Sequence, residues 1–164
     1  MKQTTEKAFE SYVEQMLLAK GWQAGSAKDW DKEKALFPIQ ITDFIAATQT
    51  PLWDSMREQH GANLETLLIK ELVKELVIKG SLYVLRHGFK FYGKTFRVAY
   101  FKPAHGLNAE VLAHYRQNRL TVTRQVPCHP GDHSTLDMLF AVNGLPVATC
   151  ELKIPGPGKI GGMR

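Results

Sequence analysis

Cysteine is nearly absent from this chain: Cys128 and Cys150 are the only two among 164 residues. Two thiols make no disulfide framework and cannot alone supply a four-ligand zinc site, and a reducing, cytoplasmic setting fits such a chain. There is no apolar run of roughly 18 residues, so no membrane-spanning helix is expected. The start, MKQTTEKAFESYVEQ, is polar and carries acids, which excludes a signal or transit peptide. No internal repeat is found. Acids are missing from the middle of the chain. From Ser81 to Val126 a single acid, Glu110, stands against eight cations: Arg86, Lys90, Lys94, Arg97, Lys102, Arg116, Arg119 and Arg124. Before that segment there are 10 Lys/Arg and 12 Asp/Glu, and after it 3 of each. A segment that basic reads as a surface for a polyanion, with nucleic acid the leading candidate, or as a solvated basic face.

What is present suits one globular domain. Hydrophobic residues make up 44% and charged residues 23%, enough for a core and too apolar for disorder. Residues 6–20 have helical spacing, with Phe9, Val13, Met16 and Leu17 as the apolar stripe, Thr4 or Thr5 as cap and Gly21 as stop. Glu6, Glu10 and Glu14 stand four apart on one stripe of that helix. Like charges at this spacing repel by a few tenths of a kcal/mol. They are either a solvated stripe or face a cation. Residues 22–38 read as loop. Helices are expected at 39–47, from Thr50-Pro51 to Gly61, and from a cap at Asn63 to Gly80. Beyond Gly80, LYVLR and FKFYGKTFRVAYF alternate like strands, with a turn at Gly93 and Lys94. Residues 108–118 read as a helix and 120–126 as a strand. CHPGDHS reads as a loop, and the Gly/Pro-rich tail 154–164 as flexible.

The stretch LDMLFAVNGLPVATCELK is the most informative. Asn143-Gly144 between two apolar runs is a strong hairpin signal. Yet Asp137, Glu151 and Lys153 sit in it, and charges are costly in apolar strands unless paired or bound. The hairpin brings its two open ends together, so the three charges converge. Two carboxylates suit Mg²⁺, and an ammonium suits an attacking water or a phosphoryl oxygen. The plainer alternative is a surface salt bridge to Lys153. With an ideal two-residue turn, Asp137 opposes Cys150 and Glu151 points to the other face. One extra residue in the connection, a bulge at Gly144, sets Asp137 and Glu151 on one face, and that register is expected.

Asp137 with Glu151-Leu152-Lys153 resembles the PD-(D/E)XK nuclease signature. TQTPLW, YVLRHGFKFYGKTFRVAYFKPAHGLN, YRQNRLTVTRQV and the hairpin itself are similar to the N-terminal region of the restriction (R) subunit of type I restriction–modification enzymes, from about Glu6 to Lys153. The resemblance implies an α/β (α+β mixed) fold, a restriction-endonuclease-like core with N-terminal helices, spanning residues 1–153. It implies Mg²⁺ at Asp137 and Glu151, catalytic Lys153, and a glutamate from the first helix. Glu10 matches best in FESYVEQMLLAKGW, with Glu6 and Glu14 as alternatives. Hydrolysis of double-stranded DNA follows, beside methyltransferase and specificity subunits and an ATP-driven helicase motor in the full-length chain. No GxxxxGK[ST] loop of such a motor occurs here. Family members continue after the lysine with Asn and a helix, where this chain has Ile154-Pro155-Gly156. The fold is therefore expected to be C-terminally truncated and weak or inactive alone. A non-catalytic DNA-binding or assembly module is the alternative.

Arg116, Arg119, Arg124 and Gln125 are candidates for phosphate contacts, and Arg86, Lys90, Lys94 and Arg97 form a second group. Cys128, His129, Asp132 and His133 crowd four potential ligands into six residues, too tight for a usual structural zinc site. Trp22, Trp30 and Trp53 read as packing residues.

Overall fold

The computed structural model of the protein describes residues 6–106, 108–128, 131 and 134–153. The expected caps Thr4 and Thr5, the loop residues His129, Asp132 and His133, and the tail 154–164 lie outside the described residues.

Among the described residues, six α-helices and two sheets build a mixed α/β fold. Helix α1 (Glu6–Leu18) leads into a two-residue strand β1 (Gln23–Ala24), so residues 22–38 are not all loop. Next come α2 (Pro38–Thr48), α3 (Thr50–His60), α4 (Leu64–Lys79) and α5 (Ser81–His87). Strands β2 (Phe89–Phe91) and β3 (Lys94–Phe96) form a small hairpin, and α6 spans Ala109–Arg116. The main sheet is completed by β4 (Leu120–Pro127), β5 (Thr135–Val142) and β6 (Leu145–Cys150). Its order is β1-β4-β5-β6, with β1 parallel to β4 and the remaining pairs antiparallel.

Helices α2 to α4 follow the predicted boundaries, with proline in the first turn of α2 and α3 and glycine after α3 and α4. Their capping chemistry differs from expectation: the Asn63 side chain caps nothing, and Thr50 Oγ1 donates back to Ala46 O at 3.0 Å. Asn108 does cap α6, accepting from the amides of Glu110 and Val111 at 3.1 Å each.

Two strand predictions fail. LYVLR lies in helix α5, bounded by left-handed Gly80 and Gly88, with Arg86 and His87 in its last turn. Gly88 cannot be larger, because a Cβ there would meet Phe96 O at 2.1 Å. The β2–β3 turn falls on Tyr92-Gly93, since Phe91 pairs with Lys94, and residues 98–101 form no strand.

The larger core packs α2, α3 and α4 against Val84, Phe89, Phe91, Phe96, Val98 and Leu145. A smaller one gathers Phe37, Val126, Leu139 and Ala141 with Trp30 and Leu136. The tryptophans pack as expected. Trp53 is buried, Trp22 meets Phe140 edge-on at 5.6 Å, and Trp30 donates to Pro127 O at 3.0 Å. Helix α1 keeps only half of its expected apolar stripe: Val13 and Leu17 are half-buried. Phe9, Tyr12 and Met16 are exposed, while Glu10 is its buried residue, 2% exposed.

Candidate active site

The hairpin connection is the tight two-residue turn. Asn143 and Gly144 have φ of 52° and 89°, and Val142 pairs with Leu145 and Ala141 with Pro146. Both left-handed residues match the turn that follows the twist of the strands. Gly144 is also closely covered, since a Cβ would lie 2.7 Å from Phe37 O. The predicted extra residue exists, but in another place. The register shifts at Phe140/Ala141, so Phe140 pairs with Ala148, Leu139 with Thr149 and Met138 with Cys150. The bulge therefore falls at Val147 inside β6. One further step would set Glu151 opposite Asp137. The strand instead ends at Cys150, and the Leu152 amide donates to Asp137 Oδ2 at 2.7 Å.

Asp137 is half-buried and lies opposite Gln125 in the β4–β5 ladder, between the pairs Arg124–Met138 and Val126–Leu136. Gln125 Nε2 donates to Asp137 Oδ1 at 3.4 Å and to Glu10 Oε1 at 2.8 Å. Glu10 Oε2 accepts from Arg124 Nε at 3.1 Å, and Arg124 also reaches Ser11 Oγ and Glu14 Oε2, at 3.1 and 3.3 Å. A carboxylate as buried as Glu10 needs such partners, because desolvated charge is costly when unpaired. This explains why an acid turns inward on α1, beside half-buried Val13 and Leu17.

Of the candidate site residues, the fold thus brings together Glu10, Asp137, Gln125 and Arg124. Glu14 joins through Arg124, and Glu6 is exposed. Glu151 and Lys153 emerge at the same sheet end, exposed, and make no side-chain ion pair among the described residues. Among the described residues no three His, Cys, Asp or Glu side chains stand close enough to enclose a metal ion. The chemistry of the donors nevertheless fits a hard cation. Glu10, Glu14 and Asp137 surround one guanidinium and one neutral amide. That leaves net negative charge on oxygen ligands, the type that Mg²⁺ takes.

A family model described as type I restriction enzyme R protein N terminus matches residues 3–161. The chain belongs to this family. No match was found among curated proteins or among solved structures. The mixed α/β architecture and its nuclease-like core are consistent with an R-subunit N terminus. Among the described residues no helix is long and apolar enough to cross a membrane.

The basic candidates divide by environment. Arg124 is committed to α1. Arg116 and Arg119 are exposed at the end of α6 and before β4. Lys90 and Lys94 are exposed on the β2–β3 hairpin, while Arg97 donates to the carbonyl of Arg86 at 2.8 Å.

Sequence reasoning missed two participants in the site, and the bonds that anchor the turn at the far end of the hairpin. Thr135 Oγ1 donates to Gln125 Oε1 at 2.8 Å, and Ser11 holds Arg124. The buried amide of Asn143 donates to Val98 O and Asn118 Oδ1, both at 2.9 Å, and its Oδ1 accepts from the Arg119 amide at 2.7 Å. The partners of Thr135 and Asn143 lie 10 to 45 positions away, so no local pattern signals these bonds. Ser11, one residue after Glu10, carried a weak signal.

Proposed function

We propose that this R-subunit N terminus is a Mg²⁺-dependent endonuclease domain that hydrolyses DNA phosphodiester bonds without strong sequence preference. The observation that carries the reading is the meeting of Glu10 and Asp137 on one amide nitrogen, at 2.8 and 3.4 Å, at the sheet end where Glu151 and Lys153 emerge. Asp137 and Glu151, with Glu10, would hold Mg²⁺. Bound there, the cation would lower the pKa of a water and offset charge building on the phosphate. Lys153 would hold the attacking water or a phosphoryl oxygen as a fixed positive charge. Exposed Arg116, Arg119, Lys90 and Lys94 would meet the DNA backbone, with Arg86 and Arg97 beside the latter pair. In the whole R subunit an ATP-driven motor would move the DNA, with the specificity and methyltransferase subunits as partners in the cytoplasm.

One observation favours a second reading, a non-catalytic DNA-binding or assembly module: Glu151 and Lys153 are exposed and not joined to Asp137. Calorimetric titration of Mn²⁺ into this chain, beside Asp137→Ala and Glu151→Ala, decides. Binding that is lost in both variants supports the nuclease reading. No binding, or binding indifferent to both, supports the module.

A further inference from the structure

Gln125 does two things that membership of a strand does not explain. Its backbone is left-handed, φ 52°, inside β4. That conformation costs a non-glycine residue about 1 kcal/mol and, in a strand, is worth a functional explanation. The ladder to β5 runs past it without an inserted residue, Arg124 facing Met138 and Val126 facing Leu136. What changes is the side. Thr121 and Thr123 face Ala141 and Leu139, and strict alternation would turn Val126 away from both. Val126 instead packs in one cluster with Leu139 and Ala141. Alternation therefore slips by one at Gln125. As a result two consecutive side chains, Arg124 and Gln125, reach the same carboxylate, at 3.1 and 2.8 Å.

The orientation of the amide follows from its neighbours. Carboxylates only accept, so Nε2 must face Glu10 and Asp137, and the Thr135 hydroxyl then donates to Oε1 at 2.8 Å. A hydroxyl accepts as readily as it donates. If the carboxamide turns over, Nε2 can donate to Thr135 and that bond is kept, while Oε1 faces the two carboxylates. Three oxygens facing one another repel unless a cation lies between them, and a cation there gains an amide oxygen as a ligand. Gln125 is exposed, so the turn meets no core packing.

We propose that Gln125 is a two-state ligand: an amide clip across Glu10 and Asp137 that turns its carbonyl oxygen to a divalent cation when one is bound. This rests on the metal-site reading above. The clip holds two like charges together without a metal, and Thr135 is the hinge partner that serves both states.

The test is Mn²⁺ calorimetry on the full chain and on Gln125→Gly, Gln125→Glu and Thr135→Val, with metal-free thermal melts of each. Glycine accepts the left-handed backbone, so it removes the side chain alone. Glutamate keeps the length and adds charge. Gln125→Gly is expected to weaken Mn²⁺ binding roughly tenfold, in the range of residues that orient metal ligands. Thr135→Val is expected to weaken it in the same direction. Gln125→Glu is expected to tighten binding while lowering the metal-free melting temperature, because it sets a third carboxylate beside two. A purely structural residue would not produce that opposite pair. Wild-type affinity in Gln125→Gly and Gln125→Glu overturns this proposal and leaves the metal site standing. Absence of Mn²⁺ binding by the wild type overturns the metal site, and the proposal with it.

Discussion

Replacing Asn143 by glycine isolates what a buried turn residue contributes beyond its backbone. Asparagine is used in such turns because it tolerates positive φ, and glycine tolerates it better. On turn geometry alone Asn143→Gly should be harmless. The side chain, however, is 1% exposed and makes three hydrogen bonds, to Val98 O, to Asn118 Oδ1 and from the Arg119 amide. Asn118 Oδ1 keeps a second donor, the Tyr100 amide at 3.1 Å. The Val98 carbonyl and the Arg119 amide lose their side-chain partner. At about 1 kcal/mol net for each bond, the loss is about 3 kcal/mol. Glycine's added freedom in the unfolded chain takes up to about 1 kcal/mol more. Asn143→Asp keeps the acceptor for the Arg119 amide but loses both donations once ionised, so it should lose more near pH 8, where the ionised carboxylate would face the Val98 carbonyl, than near pH 4. Urea unfolding, with an unchanged slope, measures both. Stability of Asn143→Gly within about 1 kcal/mol of wild type would mean that turn conformation is all Asn143 supplies.

Other expectations follow from the same contacts. Gly144→Ala should destabilise by at least about 2 kcal/mol in the same urea assay, since its Cβ would meet Phe37 O at 2.7 Å at a φ of 89°. Arg124→Met should cost about 2 kcal/mol in metal-free protein by stranding buried Glu10, and saturating Mn²⁺ should recover part of it in thermal melts. On the nuclease reading, Lys153→Ala should remove whatever DNA cleavage the chain supports in a nuclease assay while leaving Mn²⁺ affinity and DNA retention near wild type. The hydrogen bond from Arg57 holds the Glu65 carboxyl below its ordinary range. Its stabilising contribution is thus complete above about pH 4.3 and is lost as pH falls through the lowered value. The stability gap between wild type and Arg57→Ala should therefore narrow in acid, as read by unfolding at several pH values.

The hairpin, the three middle helices and the glycine stops were legible because each rests on local chemistry: Asn-Gly for a left-handed turn, proline in a first turn, glycine past a last one. The convergence of Asp137 with a first-helix glutamate was legible through the family resemblance, and Glu10 is the glutamate that turns inward. What could not be read depends on partners far along the chain. Leu82, Tyr83, Val84 and Leu85 look like strand residues, yet Gly80 and Gly88 frame a single short helix around them. The outward turn of Phe9 and Met16 follows from Arg124 and Gln125 drawing Glu10 in. The bulge was expected at Gly144, but Asn143 and Gly144 close a tight two-residue turn under Phe37 and Gln40. The extra residue is taken up at Val147, where β6 is exposed.

The pairing of Glu10 with Arg124 joins residues 114 positions apart in a chain of 164, and the parallel contact of Gln23 with Thr121 is also long-range. Closing a loop of that length carries an entropy cost that only later contacts recover, which makes such contacts slow to form. On the ribosome, α1 would emerge long before the strands that receive it, with Val13 and Leu17 fully uncovered and Glu10 unpaired. The carboxylate cluster can assemble only after β4 and β5 have been made. A chain synthesised only as far as β3 thus lacks the Glu10–Arg124–Asp137 cluster altogether.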